Sequence, residues 1–358
     1  LIQNPIYGVT YGYKPGDTTS MNAMKNFLKA LAERYDGDGI NDAPGSPIID
    51  VLQINNEINL TVSWADTYQH YAEMLIEAYT AIKSVSPNVL VAMAAPSGPP
   101  GIPALQQVAS YLTGGPYFDI LDIHLHANNG GTYNENINNV QGIFIIDDYI
   151  NDAKNIINST NPNAKLWMAE TSISNNVPST QTELKQAVDL TKVYIYYRVK
   201  GVDVILWSKF YDAVWNGDST HYFSNNGLVD LQGIKKLSYY SYQLLLEKLD
   251  SSDWNTIQTI QESGDVYIYK FTKSGKPIYI AWWDYFNDST YTQGKTKQAT
   301  ITNIQGNSVL ATEVVPKFSS GKDVTDYSTA FKTETKTVTG GQVTLSLGDS
   351  PVFVEEKL

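Results

Sequence analysis

Residues 51–59 read VLQINNEIN, an apolar strand that stops on two amides and a carboxylate. Leu52 and Ile54 share one parity, and Gln53, Asn55 and Glu57 share the other. Successive strand side chains point to opposite faces, so this pattern predicts a strand over 51–57. Glu57 then emerges at its carboxyl end on the more polar face. Taken alone, a solvated glutamate capping an ordinary strand fits the same residues. Residues 165–172, KLWMAETS, repeat the design. There an apolar strand ends at Glu170 and two hydroxyl residues follow. The interval between the two glutamates leaves room for about three βα units.

The segments around these two stretches alternate between a helical period and short apolar runs. After strand 51–57 the pattern predicts helix 65–86, strand 89–95, helix 102–113, strand 119–126 and helix 138–158. Strand 165–170, helix 181–200, strand 202–208 and helix 235–249 follow. Met24, Phe27, Leu28, Leu31 and Tyr35 recur at three- and four-residue steps, which adds a helix ahead of strand 51–57. Strands alternating with helices at this spacing argue for a parallel α/β sheet. In barrels of this class, chemistry is done at the carboxyl ends of the strands. Two carboxylates so placed are the pair that glycoside hydrolysis needs: one donates a proton to the leaving oxygen, the other attacks the sugar or activates a water.

On these residues the chain resembles the retaining β-glycoside hydrolases of clan A. These are (β/α)8 TIM barrels with an acid/base Glu after strand 4 and a nucleophile Glu after strand 7. Asn56-Glu57 matches the clan's Asn-Glu pair, and Glu170 in WMAETS matches the nucleophile. The run NNEINLTVSWADTYQHYAEMLIEAYTAIKSVSPNVLVA is most similar to glycosidase family 39 and its relatives. The resemblance covers roughly residues 20–250. The chain departs from the clan by carrying Ile58 where Pro usually follows the acid/base. It also has His126 where the clan usually has Tyr.

The resemblance implies roles for further residues. Asn56 would bind the substrate 2-hydroxyl. Asp122, His124 and His126 alternate with Leu121, Ile123 and Leu125, so one face of that strand is polar and points into the barrel. His126 stands where the clan's Tyr hydrogen-bonds the nucleophile, and His124 is a substrate-site candidate or a satisfied core histidine. Trp207, closing the strand in VILWSKF, would form the floor of the site for the reacting sugar, with Lys209 near a sugar hydroxyl. Trp64, Phe210, Tyr211, Trp215, Tyr222 and Phe223 lie in loops after two of the strands, where two or three are expected to line subsites. Two His and two Glu also suggest zinc, but the glycosidase assignment accounts for them without metal, and no cofactor is expected. Asp36, Asp38 and Asp42 in DGDGINDAPGS lack the ligand spacing of a full calcium loop and read as a helix stop with local turn bonds.

Only five strands are found, and a closed barrel needs eight. With Glu57 closing strand 4, the first strands are expected outside this chain, on a separate polypeptide or upstream of this numbering; 1–20 supplies at most one. The expected domains are a catalytic barrel over 1–250 and a C-terminal β-sandwich over 251–358. Past 250 the period changes to 2, and VYIYKF, PIYIAWW, QATITNI, SVLATEVV, TKTVTG-GQVTLSL and SPVFVEE read as strands. Gly340-Gly341 sits at a hairpin position. That domain is expected to be structural; a sugar-binding role would use Trp282 and Trp283.

Composition bounds the partners. The 358 residues are 42% apolar, and no run approaches a membrane span. A net charge of −12 argues against a nucleic-acid backbone as partner. With no cysteine there is no disulfide framework. Sequons at Asn59, Asn158 and Asn287 lean towards a secreted protein. The expected activity is on a β-linked polysaccharide, with endo-β-1,4-glucanase (cellulase-like) action favoured. The alternatives are exo-acting β-xylosidase or β-glycosidase action and a non-catalytic carbohydrate-binding barrel.

Overall fold

The computed structural model describes residues 12–126, 146–175, 182–285 and 288–357. The short strand expected in IYGVTY lies outside them. Five strands form one sheet in the order β1 (Val51–Ile54), β2 (Leu90–Met93), β3 (Ile120–His126), β4 (Lys165–Ser172) and β5 (Val204–Trp207). β1 runs parallel to β2 with Val51 opposite Leu90, and β2 runs parallel to β3 with Ala92 opposite Ile120. The helices between them are α2 (Tyr68–Lys83), α3 (Ile102–Tyr111), α4 (Ile146–Thr160) and α5 (Glu183–Val199); α1 (Thr18–Arg34) precedes the sheet and α6 (Leu237–Leu249) follows it. Every element expected from the α/β alternation is present, several of them shorter than expected; the expected helix residues 138–145 and 181 lie outside the described residues.

Local chemistry explains the boundaries. Asp17 caps α1 by accepting from Ser20 N at 2.8 Å, and Thr67 caps α2 through His70 N. The amino ends of the strands are tied by carboxylates: Asp119 Oδ2 accepts Val91 N, and Asp203 Oδ2 accepts Leu166 N, each at 2.8 Å. These bonds fix the lower edge of the sheet, so the opposite edge is left to carry side chains with other work.

The chain divides into two compact units. The first holds the described residues of Leu1–His126, Phe144–Thr171 and Gly201–Leu206, which include the sheet except Ser172 and Trp207 at the ends of β4 and β5. Its core is formed by α2 (Tyr71, Leu75, Ile82), α3 (Leu105, Val108), α4 (Ile150, Ala153) and the apolar face of β3 (Leu121, Ile123, Leu125).

The second unit holds those of Ser172–Lys200 and Trp207–Leu358. Its strands make an antiparallel six-stranded sheet and a two-stranded sheet. The first has the order β11 (Thr333–Thr337), β10 (Ser308–Glu313), β13 (Val352–Lys357), β8 (Lys276–Trp283), β7 (Val266–Lys273), β6 (Gln258–Ser263). The second pairs β12 (Gln342–Leu347) with β9 (Lys297–Thr302). Residues from both sheets share one core, including Ile268, Trp283, Ile301 and Leu345. The expected Gly340-Gly341 turn is present: both glycines have positive φ, and Thr339 and Gln342 exchange backbone bonds. The strands on either side do not pair with each other, however. β11 joins β10 and β12 joins β9, so the chain changes sheets across this turn. Trp282 and Trp283 are both fully buried, so neither offers a face to sugar. Trp283 fills the space between the sheets, and Trp282 stacks on Tyr267 on the other side.

Candidate active site

β1 ends at Ile54, three residues before Glu57. Strand alternation therefore does not place Glu57, contrary to the parity argument. A turn does. Tyr71 OH donates to Ile54 O at 2.7 Å and accepts Ala94 N at 2.9 Å, stitching together the carboxyl ends of β1 and β2. Beyond that stitch the backbone enters the left-handed region twice, at Asn55 (φ 72°) and Glu57 (φ 41°). Such a conformation costs a non-glycine residue of the order of 1 kcal/mol or more and concentrates at functional sites. Buried Ile58, in the position where the resemblance expects Pro, anchors the turn, and Leu60 N closes it on Glu57 O.

The polar face of β3 meets this turn. His124 is 1% exposed, and both of its ring nitrogens face carboxylates. Nδ1 lies 3.1 Å from Glu57 Oε1; Nε2 lies 3.2 Å from Asp122 Oδ2 and 3.9 Å from Glu170 Oε1. The Tyr149 hydroxyl, on α4, donates to the His124 carbonyl at 3.0 Å. Glu170 arrives from β4, held in register by Ala169 N donating to Asp122 Oδ1 and Thr171 Oγ1 donating to Leu125 O, each at 2.8 Å. His126 Nε2 approaches Glu170 Oε2 at 3.5 Å, so the residue in the Tyr position does face the expected nucleophile.

The electrostatics divide the groups. Burial works against a charge on His124, but Asp122, Glu57 and Glu170 together push its pKa up to about 10. Burial likewise opposes ionisation of Glu170, yet the His126 contact and the charges of His124 and His126 bring its carboxyl below the usual range. Glu170 is thus ionised at neutral pH, as a nucleophile must be. Burial raises the Asp122 carboxyl against the lowering contacts from His124 and Ala169 N.

Asn56 stands between the two strained residues. Its Oδ1 is buried without a hydrogen-bond partner. A buried acceptor left open costs about 1–3 kcal/mol, which a ligand hydroxyl would recover.

Three expected site residues have different surroundings. Trp64 is 3% exposed, its indole N–H donates to Thr67 O, and its ring meets Tyr71 edge-on. It is a core residue with no face open to sugar, because the loop after β1 folds it inward. Trp207 ends β5; its N–H donates to Asn226 O at 2.9 Å and its ring stacks near Tyr194. Lys209 follows a cis Ser208–Lys209 peptide, and its ammonium lies 5.6 Å from the centre of the Trp215 ring. Partial burial lowers its pKa, against the pull of Asp212. Of the loop aromatics, Phe210, Tyr211 and Trp215 are exposed, whereas Tyr222 is buried on Ser172.

Sequence reading passed over Tyr71 and Tyr149, whose roles need tertiary contacts, and it noted Asp122 only as a polar-face residue. The Asp36, Asp38 and Asp42 carboxylates, mutually within 4.8 Å, accept Asp38 N, Ile40 N, Gly39 N and the Ser86 hydroxyl, as local turn chemistry predicts.

The fold, a five-stranded sheet with helices between its strands followed by an antiparallel β unit, is shared with solved glycoside hydrolases. Among solved structures, the chain is similar to a family 39 glycoside hydrolase from Bacteroides cellulosilyticus WH2, at 17% identity and TM-score 0.64 over 96% of this chain and 63% of that one. It is also similar to a family 51 arabinofuranosidase from Xanthomonas axonopodis pv. citri, at 11% identity and TM-score 0.63 over 93% of this chain and 73% of that one. A third is a monomeric β-xylosidase from Caulobacter crescentus CB15, at 16% identity and TM-score 0.55 over 95% and 75% of the respective chains. The chain thus spans less than two thirds of the length of the family 39 structure. No protein-family model and no curated relative matches the sequence. Among the described residues, no helix is long and apolar enough to cross a membrane.

Proposed function

We propose that this chain carries the catalytic pair of a retaining β-glycoside hydrolase. The observation that carries this reading is the convergence of Glu57 and Glu170 on the single imidazole of His124. Glu170, ionised beside two histidines, attacks the anomeric carbon and displaces the leaving oxygen, which takes a proton from Glu57. Water, deprotonated by Glu57, then releases the sugar with its configuration retained. Asn56 offers its open acceptor to a hydroxyl of the reacting sugar. The substrate is a β-linked glycan or oligosaccharide. Endo action on a β-1,4-glucan is the first candidate. Exo action on xylosides is the second, favoured by the β-xylosidase among the structural neighbours.

The fold likeness supports a (β/α)8 barrel to which this chain contributes five strands. Further strands, from another segment or a separate polypeptide, complete it in this proposal. The sequons motivate a secreted protein. The deciding experiment is a screen on β-linked polysaccharides and aryl glycosides, with Glu170→Gln as control. Anomeric NMR of the first product tests retention. Activity that survives in Glu170→Gln, or inverted product, overturns the mechanism.

A further inference from the structure

The mechanism just proposed leaves two buried groups unassigned, Asp122 and His124. Glu57 needs a proton to act as an acid, yet its carboxyl lies 3.1 Å from a ring nitrogen that also takes protons. The ring's other nitrogen faces Asp122 Oδ2 at 3.2 Å and Glu170 Oε1 at 3.9 Å. Asp122 Oδ2 is itself buried, and it has no hydrogen-bond partner aligned with it. The ion contact with Nε2 is therefore what compensates that oxygen. A carboxylate so enclosed is tolerated only beside positive charge or a donated proton. This requires Nε2 to keep its hydrogen and leaves Nδ1 as the nitrogen that exchanges one.

We infer that the catalytic proton is held jointly by Glu57 and His124 Nδ1, and that Asp122 is the positioning residue that makes His124 able to hold it. The inference rests on the glycosidase reading for its use, though not for its geometry. Between turnovers the proton resides on Nδ1, and Glu57 is paired with an imidazolium. When the glycosidic bond breaks, Glu57 Oε1 passes a proton to the leaving oxygen and His124 Nδ1 resupplies it. This leaves a carboxylate and a neutral ring with its hydrogen on Nε2. In deglycosylation the attacking water loses a proton to Glu57, and the pair is restored. No proton is gained or lost over the cycle.

Among the described residues, the charged groups that face this ring from each packed element act in one direction. Asp122 on its own strand, Glu57 after β1 and Glu170 on β4 favour the proton, while the Tyr149 hydroxyl from α4 donates to the His124 carbonyl. His126 acts through Glu170. The raised pKa of His124 agrees with this count.

The test uses Asp122→Asn, which keeps an oxygen for Ala169 N but removes the charge behind Nε2. Its amide can also donate to Nε2, which would move the ring hydrogen to Nδ1 and block proton return. With a substrate whose leaving group is a sugar, the alkaline limb of kcat/KM should lie well above neutral in the wild type. It should fall by about one unit or more in Asp122→Asn, a roughly tenfold loss above the new limb. Burst formation with an activated aryl glycoside should persist, because that leaving group hardly needs the proton. A role confined to packing would lower thermal stability and leave the limb in place, which overturns the inference. Nitrogen-15 NMR of the free wild-type protein gives a second readout. The chain has 4 His, and loss of one signal in His124→Gln assigns the ring. His124 should hold its proton to above about pH 8; titration near the ordinary value of about 6.5 sinks the proposal whatever the variant does. A protein inactive on every glycoside but with His124 protonated to high pH refutes the proposed function and leaves the proton pair standing. An active enzyme with an ordinary His124 does the reverse.

Discussion

His124 Nδ1 stands 3.1 Å from Glu57 Oε1, and the other nitrogen of the same ring stands 3.9 Å from Glu170 Oε1. One buried imidazole therefore faces both glutamates of the proposed catalytic pair. The strands that supply these groups are far apart in sequence, and their meeting is a product of the parallel sheet. The asymmetry is in the partners: Glu170 has a second histidine beside it, whereas Glu57 sits in a strained turn.

The nucleophile role makes the first prediction. Glu170→Gln should abolish turnover with the fold intact, because the amide cannot attack the anomeric carbon. Azide added to this variant should yield an inverted glycosyl azide from an activated substrate. Residual activity near the wild-type level in clean protein removes Glu170 from the role.

The His124 cluster also makes stability depend on pH. The ring's folded pKa of about 10 lies above the unfolded value of about 6.5. The folded state thus holds one proton more across that window. The stabilisation is complete below about pH 6.5 and is lost as pH rises through the folded value, at about 1.4 kcal/mol per pH unit. Urea midpoints of wild type and His124→Gln should converge between pH 7 and 10. Parallel curves would show that His124 does not carry the charge. The two proteins are compared because several buried tyrosines weaken the fold above their own range and would otherwise be confounded with the ring.

How much of this was legible in the sequence depends on the kind of force. The order of strands and helices follows from apolar periodicity, which is local, and the structure keeps it. The polar face of β3 also follows, since Asp122, His124 and His126 alternate with three apolar residues. Glu57 was found for an incomplete reason. Its position comes from two left-handed residues and the Tyr71 stitch, and neither shows as a period. Trp64 illustrates the opposite limit: composition marks an aromatic in a loop, but only packing decides whether the ring turns outward. The exchange of sheets at Gly340-Gly341 is another such case, because turn chemistry is local and strand partnership is not.

Trp207 gives the third prediction. Its indole N–H is already used by Asn226 O, and Tyr194 lies near the ring, so any contribution to sugar binding comes from a remaining face. Trp207→Ala should raise KM and lower kcat by a combined factor worth about 0.5–1.5 kcal/mol, the usual value of an aromatic contact. Trp207→Phe should recover part of the loss. If thermal stability falls in Trp207→Ala while the kinetics of the folded fraction are unchanged, the ring is packing alone.

In the proposed mechanism Glu57→Gln separates the two chemical steps, because the acid/base serves both and substrates differ in their need for it. Breaking the glycosidic bond of a polysaccharide expels a poor leaving group, which requires a proton. An activated aryl group leaves with little help. Releasing the sugar needs a base to activate water, whatever the original substrate was. The variant should therefore lose polysaccharide cleavage by about 10²–10⁴-fold, the usual contribution of a positioned acid or base. With an activated aryl glycoside it should still form the covalent intermediate on Glu170, seen as a burst, and then stall. Azide needs no base, so it should speed release and give a product of retained configuration. The amide also removes the carboxylate that faces His124 Nδ1, so in the same variant the His124 titration should move to lower pH. Equal losses on both substrates, with no burst and no effect of azide, would place the acid/base elsewhere and leave Glu57 as a partner of His124 only.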